Sequence, residues 1–402
     1  QLAMHPDWRI CLEIEPETWD TVQVRTPEAY RQFEKVAVSK QVEFTNPTYA
    51  QPYCFNVSGE SIIRQFQYGI AKINKHFPDV RFVTYSVEEP CFTSCLPQIL
   101  KLFGYKYAVI KCPNTCWGGY SGAYGGELVN WVGPDGTSIL SVPRYACEKL
   151  EENSTWQTTA WGNSEAYLKA CRDAGIEHPV GMCFQDAGWK YGPWLGENKS
   201  NSIYLRWKDY FENISIGKTN DDWHFSQEDM HVNLMWGSQV MQRIAQEVRT
   251  SENKIVMAEK MSVMAHLMNG YSYAQADMDE AWRTLMLAQH HDSWIVPYNG
   301  LNKRGTWADA IKRWTDQTNG IADGIVEASM QSFDKGNALA GNQQGYIRVY
   351  NTLGSERTEI MNVLLPREYA DADLEVSDWK QKKIGYSVEK EGENIRLFFE
   401  AK

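Results

Sequence analysis

The sequence predicts an α/β fold class, with a seven-stranded-type parallel (β/α) domain, then a three-helix bundle, then the start of a β-sandwich domain. From residue 9 to about 215, short apolar runs alternate with amphipathic segments, which is typical of parallel strands with covering helices. Long amphipathic patterns without strands follow, and β-like runs close the chain after a polar linker. We expect domains at residues 1–235, 236–335 and 343–402.

The alternation in the first part of the chain gives each element a position. Strands are predicted at 9–15, 80–87, 105–112 and 178–185, with a hairpin turn at 133–138. Helices are predicted at 26–39, 58–77, 96–104, 164–175 and 202–214. Thr26 and Ser58 stand where N-caps are expected, and Gly104 and Gly175 stand where glycine ends a helix.

The second part of the chain predicts helices first and strands afterwards. The helices are expected at 238–267, 277–291 and 306–333. Asp277 and Glu280 have the spacing of a capping box at the start of the second one. Strands are expected at 345–353, 358–366, 372–379 and 394–401.

Composition limits the possible functions. The 402-residue chain has a net charge of −11, which argues against a general affinity for nucleic acid, and no apolar run is long enough to span a membrane. Aromatic residues make up 13% of the chain, which is compatible with carbohydrate binding. The nine cysteines are odd in number and lack zinc-module spacing, so we expect buried free thiols. The chain opens with Gln, and we expect its natural N-terminus to be missing, so the sequence does not indicate a compartment. It does not indicate an oligomeric state either.

Carboxylates follow two of the predicted strands. Glu88 and Glu89 come directly after the strand at 80–87, and Asp186 follows the strand at 178–185 with Trp189 close behind. Sites in open α/β sheets form at the carboxyl ends of strands. Glycoside hydrolysis needs two carboxyl groups that flank the scissile bond, and an aromatic neighbour raises the pKa of the acid partner by desolvation. These residues therefore predict a pair of catalytic carboxylates.

His290, His291 and Asp292 follow an apolar helical pattern as three consecutive polar residues. One interpretation is a cationic helix C-terminus, since the helix dipole favours imidazolium there. The other is a metal or sugar site, because neutral imidazole is the commonest metal ligand and an adjacent carboxylate can hold a substrate hydroxyl.

Four blocks of this chain resemble the bacterial-type family 38 glycoside hydrolases, the class II α-mannosidases. The blocks are "HPDWRICLEIEPETW", "SGESIIRQFQYG", "EEPCFTSCLPQILKLFGYKYAVI" and "LMLAQHHDSW". The resemblance implies retaining hydrolysis of an α-mannoside, an oligosaccharide or glycan substrate, and one zinc ion that the sugar hydroxyls help to coordinate. It also implies that His291 is a zinc ligand and that Asp186 is the acid/base.

The remaining site residues also come from the resemblance. Glu88, or Glu89 with a one-residue gap, takes the place of the nucleophile, and Glu88 would also bind the metal. We expect Asp292 to contact the substrate, and we assign the same role to three further side chains: His290, Trp117 and Trp189.

Three departures from the family pattern define the alternatives. The nucleophile position holds Glu instead of Asp, the segment "HHDSW" lacks the usual Gly, and a family His-x-His-x-Asp zinc motif is absent. We attribute the missing motif to a missing N-terminal part of the protein. The alternatives are a non-catalytic carbohydrate-binding relative and a metal-dependent polysaccharide deacetylase. A His-x-His-x-Asp upstream of this chain would favour the glycosidase.

Overall fold

The structure is a computed structural model. It describes residues 2–87, 92–110, 126–147, 165–180, 202–217, 219, 221–224, 242–301, 304–333, 345–369 and 372–402. The chain divides into two compact units, one formed by 1–258 with 274–324 and the other by 259–273 with 325–402. The three domains expected from the sequence stay a prediction.

The first unit opens with two parallel strands. β1 (Ile10–Glu13) pairs with β2 (Val42–Asn46), and Cys11 lies opposite Glu43. The crossover between them contains α1 (Pro16–Arg25) and α2 (Pro27–Glu34). The strand expected at 9–15 is confirmed, whereas α1 and β2 were not predicted.

Thr26 stands at the junction of α1 and α2 and does not cap α2 with its side chain as expected. Its hydroxyl instead donates to the carbonyl of Val22 in α1 at 3.1 Å. The hydroxyl therefore satisfies one of the free carbonyls at the end of the preceding helix.

A mixed five-stranded sheet follows. Its strands are β3 (Thr84–Ser86), β4 (Tyr107–Val109), β5 (Val129–Val132), β6 (Ser138–Val142) and β7 (Asp222–Trp223), in the order β3-β4-β6-β5-β7. The β3–β4, β4–β6 and β5–β7 pairs are parallel, and β5–β6 is the antiparallel hairpin expected around residues 133–138. The parallel sheet is confirmed in outline, with this hairpin as its antiparallel part. The strand expected at 178–185 lies largely outside the described residues.

Helices begin and end near the predicted signals in this unit. The helices are α3 (Gly59–His76), α4 (Leu96–Leu102) and α5 (Glu165–Asp173). The Ser58 side chain accepts from the amide of Ser61 at 3.2 Å, so its predicted role as a cap is confirmed. Gly104 and Gly175 take φ values of 85° and 75° just beyond helix ends, which only glycine adopts without strain.

The helix expected at 202–214 forms only in part. α6 (Trp207–Asp209) is a single short turn, and Tyr210–Ile214 continues it as a π-helical turn. Arg206 donates two hydrogen bonds to Asp209, at 2.7 and 2.8 Å, while Tyr210 and Phe211 are buried. The ion pair and the buried rings hold this segment in a shape that periodicity alone does not predict.

Gly69 allows α3 to pack closely against the loop that follows β2. A Cβ at this position would lie 1.7 Å from the carbonyl oxygen of Pro47, so any side chain would force the backbone apart. The amide of Tyr49 in the same loop donates to the carbonyl of Gln65 at 3.0 Å. Helix and loop are therefore fixed together immediately before residues 50–53.

Four further helices follow: α7 (Gln242–Asn269), α8 (Gln275–Ala288), α9 (His291–Ile295) and α10 (Trp307–Phe333). The three long helices were expected, and their arrangement as a bundle stays a prediction. The expected capping box is wrong, because Ala274 is the N-cap of α8 and Asp277 lies within its first turn. Glu280 instead accepts two hydrogen bonds from Arg283, at 2.7 and 2.8 Å. None of the described helices is both long and apolar enough to cross a bilayer.

The described strands of the second unit are antiparallel. β8 (Glu359–Leu365), β9 (Tyr386–Glu391) and β10 (Asn394–Ala401) form a sheet in the order β8-β10-β9. The strands expected at 358–366 and 394–401 are confirmed, whereas those at 345–353 and 372–379 are wrong. In the latter, the Asp378 carboxylate accepts from the amides of Lys380 and Lys382, which closes a turn. The β-sandwich stays a prediction.

One buried carboxylate in the first unit predicts a pH dependence. Glu43 of β2 is 7% exposed, and burial raises its pKa. Its Oε2 accepts from the Lys208 amide at 3.0 Å, while Oε1 has no partner among the described residues. A raised folded-state pKa contributes stability below the unfolded-state pKa, and that contribution is lost as pH rises through the folded-state pKa.

Glu43→Gln is therefore expected to raise the free energy of unfolding at pH 7 by on the order of 1 kcal/mol, because glutamine carries no buried charge. The gain should shrink as pH falls toward about 4. Urea unfolding from pH 4 to 7 measures it. Exposed Glu34→Gln, with the same change in charge, is the matched control. If the Glu43→Gln variant were less stable than the wild type at pH 7, the charged carboxylate would stabilise the fold, contrary to this prediction.

Candidate active site

The candidate site lies where strand ends of the first unit meet the turn between α8 and α9. β1 leads directly into Glu15, and β2 leads into the loop that contains Gln51 and Pro52. His290 forms an isolated antiparallel bridge with Pro52. β1 and β2 are parallel, so their carboxyl ends lie at one edge, where α/β proteins place chemistry.

His291 is held as a neutral imidazole with one ring nitrogen directed to the protein backbone. The residue is 4% exposed, and its Nδ1 donates to the carbonyl of Gln51 at 2.7 Å. Burial, and after it the neighbouring His290, lower the pKa of His291 to about 4. Because Nδ1 carries the proton, Nε2 offers its lone pair, which is the usual state of a metal-binding histidine.

His290 uses both ring nitrogens for contacts within the protein. Its Nδ1 accepts from the backbone amide of Asp292 at 3.1 Å and so caps α9. The proton is therefore on Nε2, which lies 3.3 Å from Oε1 of Glu15. Burial raises the pKa of Glu15, but its hydrogen bonds, above all the one with His290, outweigh burial, and the net shift of the pKa is downward.

Asp292 is the exposed member of the group. Its carboxylate Oδ1 lies 3.7 Å from Nε2 of His291, and its side chain is 60% exposed. The turn beneath it is anchored, because Trp294 is buried and donates from Nε1 to the carbonyl of Ala288 at 2.7 Å. Asp292 can therefore reach a ligand outside the protein while its backbone is fixed.

The donor set of this turn fits a divalent metal. One ligand atom each from His290, His291 and Asp292 lies within 4.8 Å of the other two. His290 is engaged elsewhere, so His291 Nε2 and the Asp292 carboxylate are the available donors, and Glu15 provides a second carboxylate beside them. Nitrogen and oxygen donors of this kind suit zinc, which takes about four ligands in all. Further ligands would have to come from elsewhere in the chain.

The remaining predicted site residues cannot be placed. After β3, the described residues end at Val87 and resume at Phe92, and both of these side chains are buried. The residues that lie outside the described ranges are Glu88, Glu89, Trp117, Asp186 and Trp189. Their assigned roles stay predictions, and so do the substrate contacts of His290 and Asp292.

Buried amides behind the histidines connect the two sides of the site. Gln65 of α3 accepts from the amide of Ala50 at 2.8 Å, and its Nε2 donates to Oε1 of Gln289 at 3.0 Å. Gln289 precedes His290 and donates to Ser61 Oγ at 2.9 Å and to Glu252 Oε1 at 3.1 Å. Gln65 thus connects two parts of the chain. One is the loop whose Gln51 carbonyl accepts the Nδ1 proton of His291, and the other is the segment that carries His291 itself.

Glu252 anchors this network from α7. It is 2% exposed, and its Oε1 accepts from the Ser58 amide at 2.8 Å and from Ser61 Oγ at 2.6 Å. Arg249 lies 2.9 Å from its other oxygen and balances its charge. The start of α3, the middle of α7 and the end of α8 are therefore joined through one buried carboxylate.

Sequence reasoning missed several residues of this network and of the site. Glu15 carried a signal, because it ends a predicted strand and precedes Pro16, yet only the later carboxylates were considered. Gln51 carried no signal in the sequence, since the group that binds His291 is its backbone carbonyl and not its side chain. Gln65 and Gln289 are ordinary helix residues in sequence, and only tertiary packing brings them together.

Gln65→Leu is expected to lower the free energy of unfolding by about 3 kcal/mol, because it leaves the Ala50 amide and the Gln289 oxygen buried without their partner. Denaturant unfolding measures the change. Gln67→Leu, two residues away on the exposed face of α3, is the matched control and should change stability by less than about 0.5 kcal/mol. Equal effects of both substitutions would contradict the network.

Comparisons with known proteins relate the first part of the chain to a family and the whole chain to a known fold. Residues 10–160 match the family model described as "Glycosyl hydrolases family 38 N-terminal domain". The fold is similar to the crystal structure of an α-mannosidase from Enterococcus faecalis V583, with a TM-score of 0.62 and 14% identity over 99% of this chain. This chain covers 50% of that protein, so it spans about half the length of the solved structure.

A weaker likeness is to the 4-α-glucanotransferase from Thermococcus litoralis, with a TM-score of 0.43 and 12% identity, covering 81% of this chain and 52% of that one. A comparison with curated protein sequences finds no match.

The class of protein to which the matched residues are similar is that of the glycoside hydrolases. Residues 10–160 are thus similar to the N-terminal domain of family 38 glycoside hydrolases, and the chain shares its fold with the solved α-mannosidase.

Proposed function

We propose that the intact protein hydrolyses α-mannosides, or a related α-linked glycan, with retention of configuration and with the help of zinc. The observation that carries the proposal is the neutral His291, whose unprotonated Nε2 lies beside the exposed Asp292 at the carboxyl ends of β1 and β2. The name of the similar solved structure, an α-mannosidase, supports the choice of sugar.

The chain's own residues would prepare the site for metal and sugar. His291 would hold zinc through Nε2, with Glu88 as a further ligand, while the carbonyl of Gln51 keeps the His291 proton on Nδ1. When bound, zinc acts as a Lewis acid and as a template for the sugar hydroxyls. Asp292 would accept a hydrogen bond from a substrate hydroxyl, and His290, Trp117 and Trp189 would contact the sugar.

Retaining hydrolysis takes two steps. Glu88 or Glu89 would attack the anomeric carbon while the bond to the leaving oxygen breaks, and Asp186 would give its proton to that oxygen. Asp186 would then remove a proton from water, which attacks the same carbon and releases the glutamate. The sugar thus leaves with its original configuration.

Proton NMR of the full-length protein acting on an aryl α-mannoside tests the proposal. α-Mannose should appear first and β-mannose only later by mutarotation, and an aryl β-mannoside should remain intact. First appearance of β-mannose would exclude the double displacement. Binding without turnover would identify a carbohydrate-binding relative, and release of acetate from acetylated sugars alone would identify a deacetylase.

A further inference from the structure

An open cleft in the first unit combines positive charge with aromatic surface. Its volume is about 880 Å³. It is lined by Arg25 at the end of α1, by Leu301 and Arg304 after α9 and by residues at the start of α10. The lining residues are Arg25, Leu301, Arg304, Trp307, Ala310, Arg313 and Trp314.

Backbone hydrogen bonds shape the loop on one side of this cleft. The amide of Leu301 donates to the carbonyl of Gly305 at 2.6 Å, and that of Trp307 donates to Asn299 at 3.2 Å. Gly305 turns with a φ of 87°. This loop comes after α9, and α9 begins at the His290–Asp292 turn. The cleft and the candidate active site therefore share one continuous segment of chain.

The start of α10 is fixed by reciprocal capping. Thr306 Oγ1 accepts from the amide of Asp309 at 3.2 Å, and Asp309 Oδ2 accepts from the Thr306 amide at 2.8 Å. Asp309, one turn before Arg313, therefore already has its hydrogen-bond donors. Trp307 and Trp314 are half-buried on this helix, so their rings are held by packing and keep one part accessible.

The three arginines of the cleft are exposed, and within the described ranges none has a carboxylate at ion-pair distance. Most other described arginines form an ion pair with a carboxylate, for example Arg31, Arg64, Arg206 and Arg283. A chain with a net charge of −11 has ample carboxylates to pair them. Three guanidinium groups that form no ion pair with a described carboxylate, around one concave surface, favour an anionic ligand.

We propose that this cleft binds a saccharide that carries a phosphate or sulfate ester. One guanidinium group can donate two parallel hydrogen bonds to two oxygens of a phosphate or sulfate group. The planar indoles of Trp307 and Trp314 suit the apolar face of a sugar ring. The volume lies within the range of small-molecule sites. The choice of a sugar rests on the proposed function, whereas the choice of an anion rests on the three arginines alone.

Isothermal titration calorimetry of the full-length protein tests the proposal with four probes and with AMP as a control ligand. Mannose 6-phosphate or mannose 6-sulfate should bind at least tenfold more tightly than inorganic phosphate or methyl α-mannoside, because only the esters engage both arginines and indoles. The stronger of the two esters identifies the natural anion. Equal affinity for all four probes would overturn the proposal, and so would equal affinity for AMP, which would indicate a nucleotide site.

Substitutions locate the binding. Arg304→Ala and Arg313→Ala should each weaken ester binding by about tenfold, the usual effect of losing a hydrogen bond to a charged group. Arg172→Ala, an exposed arginine on α5, makes the same change in charge away from the cleft and should leave the affinity unchanged. Trp314→Leu should weaken ester binding but spare inorganic phosphate, and Trp314→Phe should retain most of the affinity. If Arg172→Ala weakened ester binding equally, the effect would come from the net charge of the protein and not from the cleft.

Binding in the cleft is independent of turnover, so the two proposals can fail separately. Ester binding by a protein that hydrolyses no mannoside would leave this inference intact and overturn the proposed reaction. Mannoside hydrolysis without ester binding would do the reverse.

Discussion

Replacing the glutamate that we propose as the nucleophile with alanine is expected to lower kcat on an aryl α-mannoside by roughly 10⁴-fold, which corresponds to about 5 kcal/mol of transition-state stabilisation. The loss is large because, in the proposed mechanism, this carboxylate would form the covalent bond to the sugar, and water would not take its place on that side of the ring. Glu88→Ala and Glu89→Ala should differ, and the one with the larger loss identifies the nucleophile.

Added azide provides a decisive control for this assignment. In the nucleophile variant, azide can occupy the space of the lost carboxylate and attack the anomeric carbon, so the product should be β-mannosyl azide. In Asp186→Ala, azide should instead attack the glycosyl-enzyme from the other side and give the α-azide. If both glutamate variants keep kcat within about tenfold of wild type, neither glutamate is the nucleophile.

His291→Ala should abolish stoichiometric zinc binding and lower kcat/KM by roughly 10³-fold, since loss of a metal ligand also removes the Lewis acid. Zinc content by mass spectrometry and kinetics on an aryl α-mannoside measure the two effects. Chelation of the wild type should reproduce the kinetic loss, and added zinc should reverse it. The reason for choosing His291 over its neighbour is that its Nε2 alone keeps an unengaged lone pair.

His224→Ala is the matched control, because His224 is exposed after β7 and far from the turn in sequence. His224→Ala should retain full zinc content. Asp292→Asn should keep zinc and raise KM more than it lowers kcat, because we assign Asp292 to the sugar. Full zinc content in His291→Ala, with unchanged kinetics, would remove His291 from the site.

The sequence predicted much of the secondary structure around the candidate site. The helix predicted at 277–291 put His290 and His291 in its last turn, whereas α8 ends at Ala288 and His291 begins α9. Short apolar runs put strand ends at residues 15, 87 and 112, and β1, β3 and β4 end within three residues of those positions. Such features depend on nearest neighbours along the chain, which periodicity records well.

What periodicity could not supply is non-local. The proton position on His291 depends on the carbonyl of Gln51, and a backbone carbonyl has no signature in sequence. The role of His290 in capping α9 depends on a turn that ends one helix and starts another within two residues. In the second unit, the apolar run at 345–353 looked like a strand but lacks a pairing partner among the described strands.

The contact between His291 and Gln51 joins residues 240 positions apart. A ribosome that adds about 5–20 residues per second needs roughly 12–50 s to travel that distance. During that interval β1, β2 and α3 can already be folded, while the Gln51 carbonyl and the Gln65 amide wait for partners not yet synthesised. The candidate site is therefore assembled in the final stage of producing the first unit, and a nascent chain halted before residue 290 would present its strand ends without a metal ligand from the turn.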